Sequence, residues 1–178
     1  MTKRAFQKFP RAADDFYPTP QEAVVPLYPY VVRDSTLFAE PCYGDGSLAD
    51  HLIGMGLTCV ARGDLNDDSK KDARLWSKRD FGQAGVVVTN PPWEARLMME
   101  IMWHQSDFLP SWFLIYSDWL FTHQSHDLMR TRCTDVVPIG RLKWITGSKS
   151  VGFDNCCWVR MWAGKTGAFH ARFWSMTP

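Results

Sequence analysis

The chain has 178 residues, 46% of them hydrophobic and 22% charged, which is the size of one compact domain with a full apolar core. Lys and Arg number 20 against 19 acidic residues, so whole-chain charge excludes a uniformly basic nucleic-acid binder, and only a local patch could recruit such a partner. Met1 to Lys8 carries cations with no apolar run behind it, which does not make a secretory signal, and no later segment reaches the length of a membrane span. Cys42, Cys59, Cys133, Cys156 and Cys157 are odd in number and lack Cys-x-x-Cys spacing, so we expect no metal site and a reducing, cytoplasmic setting.

Residues 1 to 14 are polar and basic without a period and read as a flexible arm, leaving 15 to 178 as a single domain. Thr19-Pro20-Gln21-Glu22 has the form of a capping box, with Thr19 as N-cap, Pro20 at the first helical position and Glu22 reaching back. Pro26 and Pro29 interrupt the helix that begins there. Thr36 to Glu40 predicts a short buried strand, followed by a glycine turn and a helix with Leu48, Leu52 and Ile53 on one side. Gly54 and Gly56 end that helix, and Leu57 to Ala61 predicts a second strand leading to Asp64.

A polar helix is expected around 67 to 78. Gly85 to Thr89 is an unbroken β-branched run, which suits a strand buried on both faces. Leu97, Met98, Ile101 and Met102 fall at helical spacing between Glu94 and Phe108, and Ser111 to Leu120 predicts a further buried strand. A helix from Gln124 to Arg132 and strands at Asp135 to Ile139, Cys156 to Trp162 and His170 to Trp174 complete the chain. This alternation specifies an α/β fold with a mainly parallel sheet flanked by helices, closed by an antiparallel C-terminal hairpin.

Gly44-x-Gly46-x-x-Ala49 lies between a strand and a helix, and Asp64 follows at the end of the next strand. That context suits a nucleotide cofactor, because the glycines admit close backbone approach and the acid accepts from ribose hydroxyls. Glu40 and Asp45 argue against a pyrophosphate: two unit charges about 4 Å apart repel by roughly 4 kcal/mol at an effective dielectric of 20. S-adenosylmethionine carries a sulfonium and an ammonium, which the same acids attract. Asp45 also fits a plain cap on the following helix.

Asn90-Pro91-Pro92-Trp93 stands at the carboxyl end of the β-branched strand, on the sheet edge that also carries the glycine loop. An exocyclic amino nitrogen is a poor nucleophile because its lone pair is delocalised into the ring. Acceptors aimed at its two hydrogens favour the nucleophilic form, and the Asn90 side-chain oxygen and a Pro91 carbonyl held by consecutive prolines can supply them. Trp93 can stack on the base. The bland reading is that Pro91 and Pro92 end a strand and Trp93 fills an apolar gap.

Four segments resemble the amino-directed DNA methyltransferases, specifically the small adenine-N6 type common in bacteriophages and prophages. Phe16-Tyr17-Pro18-Thr19-Pro20 is similar to the family's N-terminal cofactor motif, and Glu40-Pro41-Cys42-Tyr43-Gly44-Asp45-Gly46 to its glycine motif. Asp80-Phe81 resembles the residues that frame the cofactor adenine, and Asn90-Pro91-Pro92-Trp93 the catalytic motif, in the gamma order. The resemblance covers about residues 15 to 163 and is loose beyond Trp93.

It implies a Rossmann-like class I methyltransferase using S-adenosyl-L-methionine to methylate N6 of a flipped adenine in DNA, in the host cytoplasm when phage-encoded. By this resemblance Tyr17 and Thr19 contact the methionine part of the cofactor, Glu40, Cys42, Gly44 and Gly46 form its loop, Asp64 holds the ribose, and Asp80 and Phe81 the adenine. Trp93 departs from the commoner tyrosine or phenylalanine, which leaves pocket width and base preference open. The lack of a separate target-recognition domain implies single-stranded DNA or low sequence specificity. RNA bases, a protein glutamine amide, and a non-catalytic cofactor-binding subunit are the alternatives.

Arg141, Lys143, Trp144 and Lys149 interleave basic and aromatic residues as a flipped-base surface requires, and they equally fit a solvated hairpin. His123 and His126 lack partners at ligand spacing and read as helix surface, and Cys156-Cys157 as alternating core.

Overall fold

The computed structural model describes residues 17–65, 72–145, 150–164 and 171–174. The expected arm, the first half of the helix expected at 67 to 78, His170 and Lys149 lie outside these residues. Two short helices, α1 (Gln21–Val24) and α2 (Tyr28–Asp34), lead into strand β1 (Leu37–Glu40), helix α3 (Ser47–Gly54) and strand β2 (Thr58–Arg62). Strand β3 (Val86–Thr89), helix α4 (Ala95–Phe108), strand β4 (Ser111–Tyr116) and helix α5 (His126–Thr131) follow. Strands β5 (Cys133–Arg141), β6 (Asn155–Met161) and β7 (Arg172–Phe173) end the described chain.

The strands form one sheet in the order β2-β1-β3-β4-β6-β5-β7. β2, β1, β3 and β4 are mutually parallel, β6 inserts antiparallel between β4 and β5, and β7 runs parallel along the β5 edge. The expected mainly parallel sheet with a closing antiparallel pair is therefore present.

Strand alternation splits the core into two layers. Phe38, Val86, Val88, Trp112, Leu114 and Trp158 face one side, where α1, α2 and α3 cover them with Val24, Leu27, Leu48 and Leu52. Phe113, Ile115, Val136, Val159 and Met161 face the other, under Met98, Ile101 and Met102 of α4 and Leu128 of α5. Cys156 and Cys157 fall in opposite layers, as alternation requires. All of β3 is buried, as its β-branched sequence predicts.

Several local expectations are corrected. Thr19 does not cap a helix: Pro20 is the N-cap of α1, without a side-chain cap bond. The Glu22 carboxylate instead accepts from the backbone N–H of Lys143 at 3.0 Å. Pro29 sits in the first turn of α2, where its missing N–H costs nothing, rather than interrupting a helix. Ile53 is 48% exposed, because five residues after Leu48 the helix has turned about 140° away. α3 closes with Gly56 at φ 96° and a Leu57 N–H bond to Leu52 O at 3.1 Å, a Schellman stop.

Within 72 to 78 only a 3₁₀ turn, Ala73–Leu75, appears in place of the expected helix. β4 stops at Tyr116, and Ser117–Phe121 is a 3₁₀ turn that tucks Trp119 into the second layer while Phe121 stays 81% exposed. An apolar run cannot distinguish that turn from more strand. The helix expected from Gln124 to Arg132 is shorter, since His123–Ser125 forms a 3₁₀ turn before α5.

At the amino ends of the parallel strands a saturated polar network locks α2 to the sheet. Asp34 accepts from Arg160 Nε at 2.9 Å and from Trp112 Nε1 at 2.9 Å. Asp135 accepts from Arg172 Nε and Trp174 Nε1, both at 2.8 Å. Asp34 and Arg160 side chains are each only 13% exposed, so removing Asp34 takes from the buried guanidinium its short ion pair and leaves it Thr134 Oγ1 at 2.9 Å and Asp135 at 3.9 Å. Asp34→Ala should lower folding stability by about 3 kcal/mol in chemical denaturation. An unchanged midpoint would show the network to be idle.

Candidate active site

The opposite edge, at the carboxyl ends of β1, β3 and β4, is built differently. After β1 the chain turns through Gly44 at φ 55° and Gly46 at φ 85°, conformations that side chains with a Cβ resist. A Cβ on Gly46 would also lie 2.7 Å from the Tyr43 hydroxyl. The loop is stitched to the turn after β2 by Gly44 N–H donating to Asp64 Oδ2 at 2.7 Å and Tyr43 N–H donating to Gly63 O at 2.8 Å. Asp45 accepts from the Ser47 N–H and hydroxyl at 3.0 and 2.7 Å, so it braces the first turn of α3.

Glu40 ends β1 with 1% exposure, and its Oε2 has no hydrogen-bond partner. Burial, then the negative charge of Asp45, and further out that of Asp50 and Asp64, raise its carboxyl well above the ordinary range; a bond from the Ala49 backbone offsets part of this. An anionic Glu40 is thus short of a cation. Cys42 stands next in the loop, half-buried, its thiol pushed up to about 12 chiefly by burial, which makes it an inert lining residue rather than a nucleophile.

At the end of β3, Asn90 Nδ2 donates to Thr19 Oγ1 at 3.1 Å. That bond fixes the amide, and the other end of it, Asn90 Oδ1, is buried without a partner, as is the Thr89 hydroxyl. Among the described residues five buried side-chain polar atoms lack partners, and Glu40, Thr89 and Asn90, at the carboxyl ends of β1 and β3, hold three of them. Buried polar atoms are normally satisfied, so this edge is shaped for a ligand that supplies both donors and positive charge.

Pro91 is buried and Pro92 exposed. Trp93 is half-buried, its Nε1 donating to Leu114 O at 3.1 Å. Glu94 then caps α4, accepting from the Arg96 and Leu97 N–H groups at 3.1 and 2.8 Å. The tetrapeptide is thereby held at both ends.

Trp144 meets Trp93 edge-on, centroids 5.3 Å apart at 86°, and Tyr17 lies 6.2 Å from Trp144. Two contacts place Trp144 there: the Lys143 N–H bond to Glu22, and Gly152, whose N–H bonds Leu142 O at 2.7 Å and whose missing Cβ would sit 3.0 Å from the Trp144 ring. Arg141 and Lys143 are exposed on the same segment.

The structure therefore gathers Tyr17, Thr19, Glu40, Cys42, Gly44, Gly46, Asp64, Asn90, Trp93 and Trp144 on one edge. Asp80 and Phe81 are not among the side chains gathered. Asp80 is bonded to the Ser77 N–H and hydroxyl at 2.6 and 2.7 Å, which holds its carboxyl below the usual range. Phe81 is 3% exposed, packed on Trp76 and Phe108 at 5.2 and 5.4 Å. Sequence reading missed Thr89 and Tyr116; the latter's ring lies 5.7 Å from Trp93. Its position at the end of the strand beside β3 was the available signal.

The sheet order is that of a Rossmann-like α/β fold, shared with solved class I methyltransferases. No protein-family model and no curated protein sequence matches the chain. Among solved structures it is similar to the proposed RNA methyltransferase PH1948 of Pyrococcus horikoshii, with 14% identity and TM-score 0.55 over 89% of this chain and 92% of that one. It is also similar to the type IIG restriction endonuclease BpuSI, with 13% identity and TM-score 0.57 over 86% of this chain and 26% of that one. A dimethyladenosine transferase from Plasmodium falciparum gives 14% identity and TM-score 0.50 over 82% of this chain and 62% of that one. The chain thus spans less than two thirds of the latter two. No helix among the described residues is long and apolar enough to cross a membrane.

Glu40 gives a test. Its folded-state value lies above the ordinary 4.5, so its contribution to stability is complete below that value and is lost as pH rises through the raised one. Without ligand, the wild type should lose melting temperature relative to Glu40→Gln as pH rises above the ordinary carboxyl value of 4.5. Parallel curves for the two proteins would contradict a burial cost at Glu40.

Proposed function

We propose that this protein transfers a methyl group from S-adenosyl-L-methionine to the N6 amino group of adenine in DNA. The observation that carries the reading is the buried, unpartnered Asn90 Oδ1, fixed by the bond to Thr19 and set beside the Trp93 and Trp144 rings. Bound S-adenosyl-L-methionine supplies an electrophilic methyl group on a sulfonium. Its charges suit the Glu40 carboxylate, and its ribose suits Asp64. Tyr17, Thr19, Cys42, Gly44 and Gly46 line the same space, and the family resemblance adds Asp80 and Phe81 on the adenine side.

Asn90 Oδ1 and the Pro91 carbonyl accept the two hydrogens of the target amine, drawing its lone pair out of conjugation where the methyl group arrives. An amide oxygen orients the amine without taking its proton, which leaves to water after transfer. Trp93, locked through its N–H to β4, offers a fixed face for the flipped base, and Trp144 closes the side.

Exposed Ile145, Val151 and Phe153, near Trp144 in sequence, together with exposed Arg141 and Lys143 suit unstacked bases and their phosphates. A planar ring uses these faces, whereas a glutamine amide leaves them uncovered. RNA adenine shares the same chemistry; the choice of DNA follows the motif resemblance. Asn90→Ala should lower kcat by at least about 10³-fold while cofactor affinity measured by calorimetry stays within about threefold. Full activity in that variant would overturn the mechanism.

A further inference from the structure

We propose that Tyr116 is a specificity-determining residue whose hydroxyl donates a hydrogen bond to the ring nitrogen N1 of the target adenine, next to the amine held by Asn90. The inference rests on the function proposed above and names what else reads the base.

β4 lies beside β3, with Thr89 paired to Phe113, so Asn90 is level with Leu114 and Tyr116 stands two residues further along the same carboxyl edge. Tyr116 is the last residue of β4, half-buried, and its ring centroid is 5.7 Å from that of Trp93 at 54°. The Trp93 N–H is already spent on Leu114 O, so the ring that stacks on the base cannot also read its edge. Among the described residues the Tyr116 hydroxyl has no hydrogen-bond partner. Partial burial, then the negative charges of Asp154 and Glu94, raise the phenol above its usual value, which favours the protonated, donating form.

The edge so formed is an acceptor for the amine, Asn90 Oδ1, followed by a donor, Tyr116 O–H. Adenine presents the complement, an amino donor beside the N1 acceptor. Guanine carries a carbonyl in place of the amine, which would set acceptor against acceptor at Asn90 Oδ1. A site built to bond one ring nitrogen discriminates against an analogue lacking it, because a buried polar group is then left unpaired.

The test uses the oligodeoxynucleotide that the wild-type protein methylates, made with adenine or 1-deazaadenine at the methylated position. The wild type should lose about tenfold in kcat/KM on 1-deazaadenine. Tyr116→Phe should lose about tenfold on adenine and nothing further on the analogue, with cofactor binding and melting temperature unchanged. The intrinsic reactivity of the analogue cancels in the comparison of the two proteins. Wild-type protein that treats both bases alike overturns the role of Tyr116 whatever the variant does, as does a variant that discriminates as the wild type does. If the wild type forms no N6-methyladenine in any DNA, the adenine reading fails and this role with it.

Discussion

The hydrogen bond from Asn90 Nδ2 to Thr19 Oγ1, 3.1 Å long and spanning 71 positions of sequence, is the constraint on which the site depends. It spends the donor end of the amide on the protein and leaves the acceptor end, buried, for something else. Holding an unpaired buried acceptor costs about 1–3 kcal/mol. The two prolines, the Trp93 bond to Leu114 O and the Glu94 cap on α4 prevent the segment from relaxing to recover it. The Thr89 hydroxyl and Glu40 Oε2 add to the same cost on the same edge.

The two ends of the sheet divide stability from function. At the amino ends, Asp34, Asp135, Arg160 and Arg172 satisfy one another and tie α2, β5, β6 and β7 together. At the carboxyl ends, Asp45, Asp50 and Asp64 crowd Glu40, while its register partner Arg62 gives its guanidinium to the Tyr43 hydroxyl. One edge closes the fold and the other is left electrostatically incomplete. A ligand bearing positive charge relieves Glu40, and an amine bearing two hydrogens relieves Asn90.

Much of this was legible in the sequence, because local features specify it. The β-branched run of β3, the glycines that alone tolerate φ 55° and 85°, and the strand-loop-helix context of Asn90-Pro91-Pro92-Trp93 can all be read without long-range information. What was misread depended on distant partners. Thr19 and Glu22 spell a capping box, yet their side chains serve Asn90 and Lys143 across the fold. Asp80 and Phe81 keep the residue types of an adenine frame, while within the chain Asp80 bonds Ser77 and Phe81 packs on two aromatic neighbours. Trp144 packs close over Gly152, where a Cβ would crowd its ring at 3.0 Å, and Tyr116 comes to this edge through the pairing of β4 with β3.

The central claim is that this edge methylates an aromatic amine, and product identity tests it most directly. The protein would be incubated with isotopically labelled S-adenosyl-L-methionine and, separately, single-stranded DNA, duplex DNA, RNA or cell extract, then the products digested and the labelled nucleoside or amino acid identified. The account predicts label in N6-methyldeoxyadenosine. Label on a ring carbon, on a ribose oxygen or on no substrate at all would contradict it.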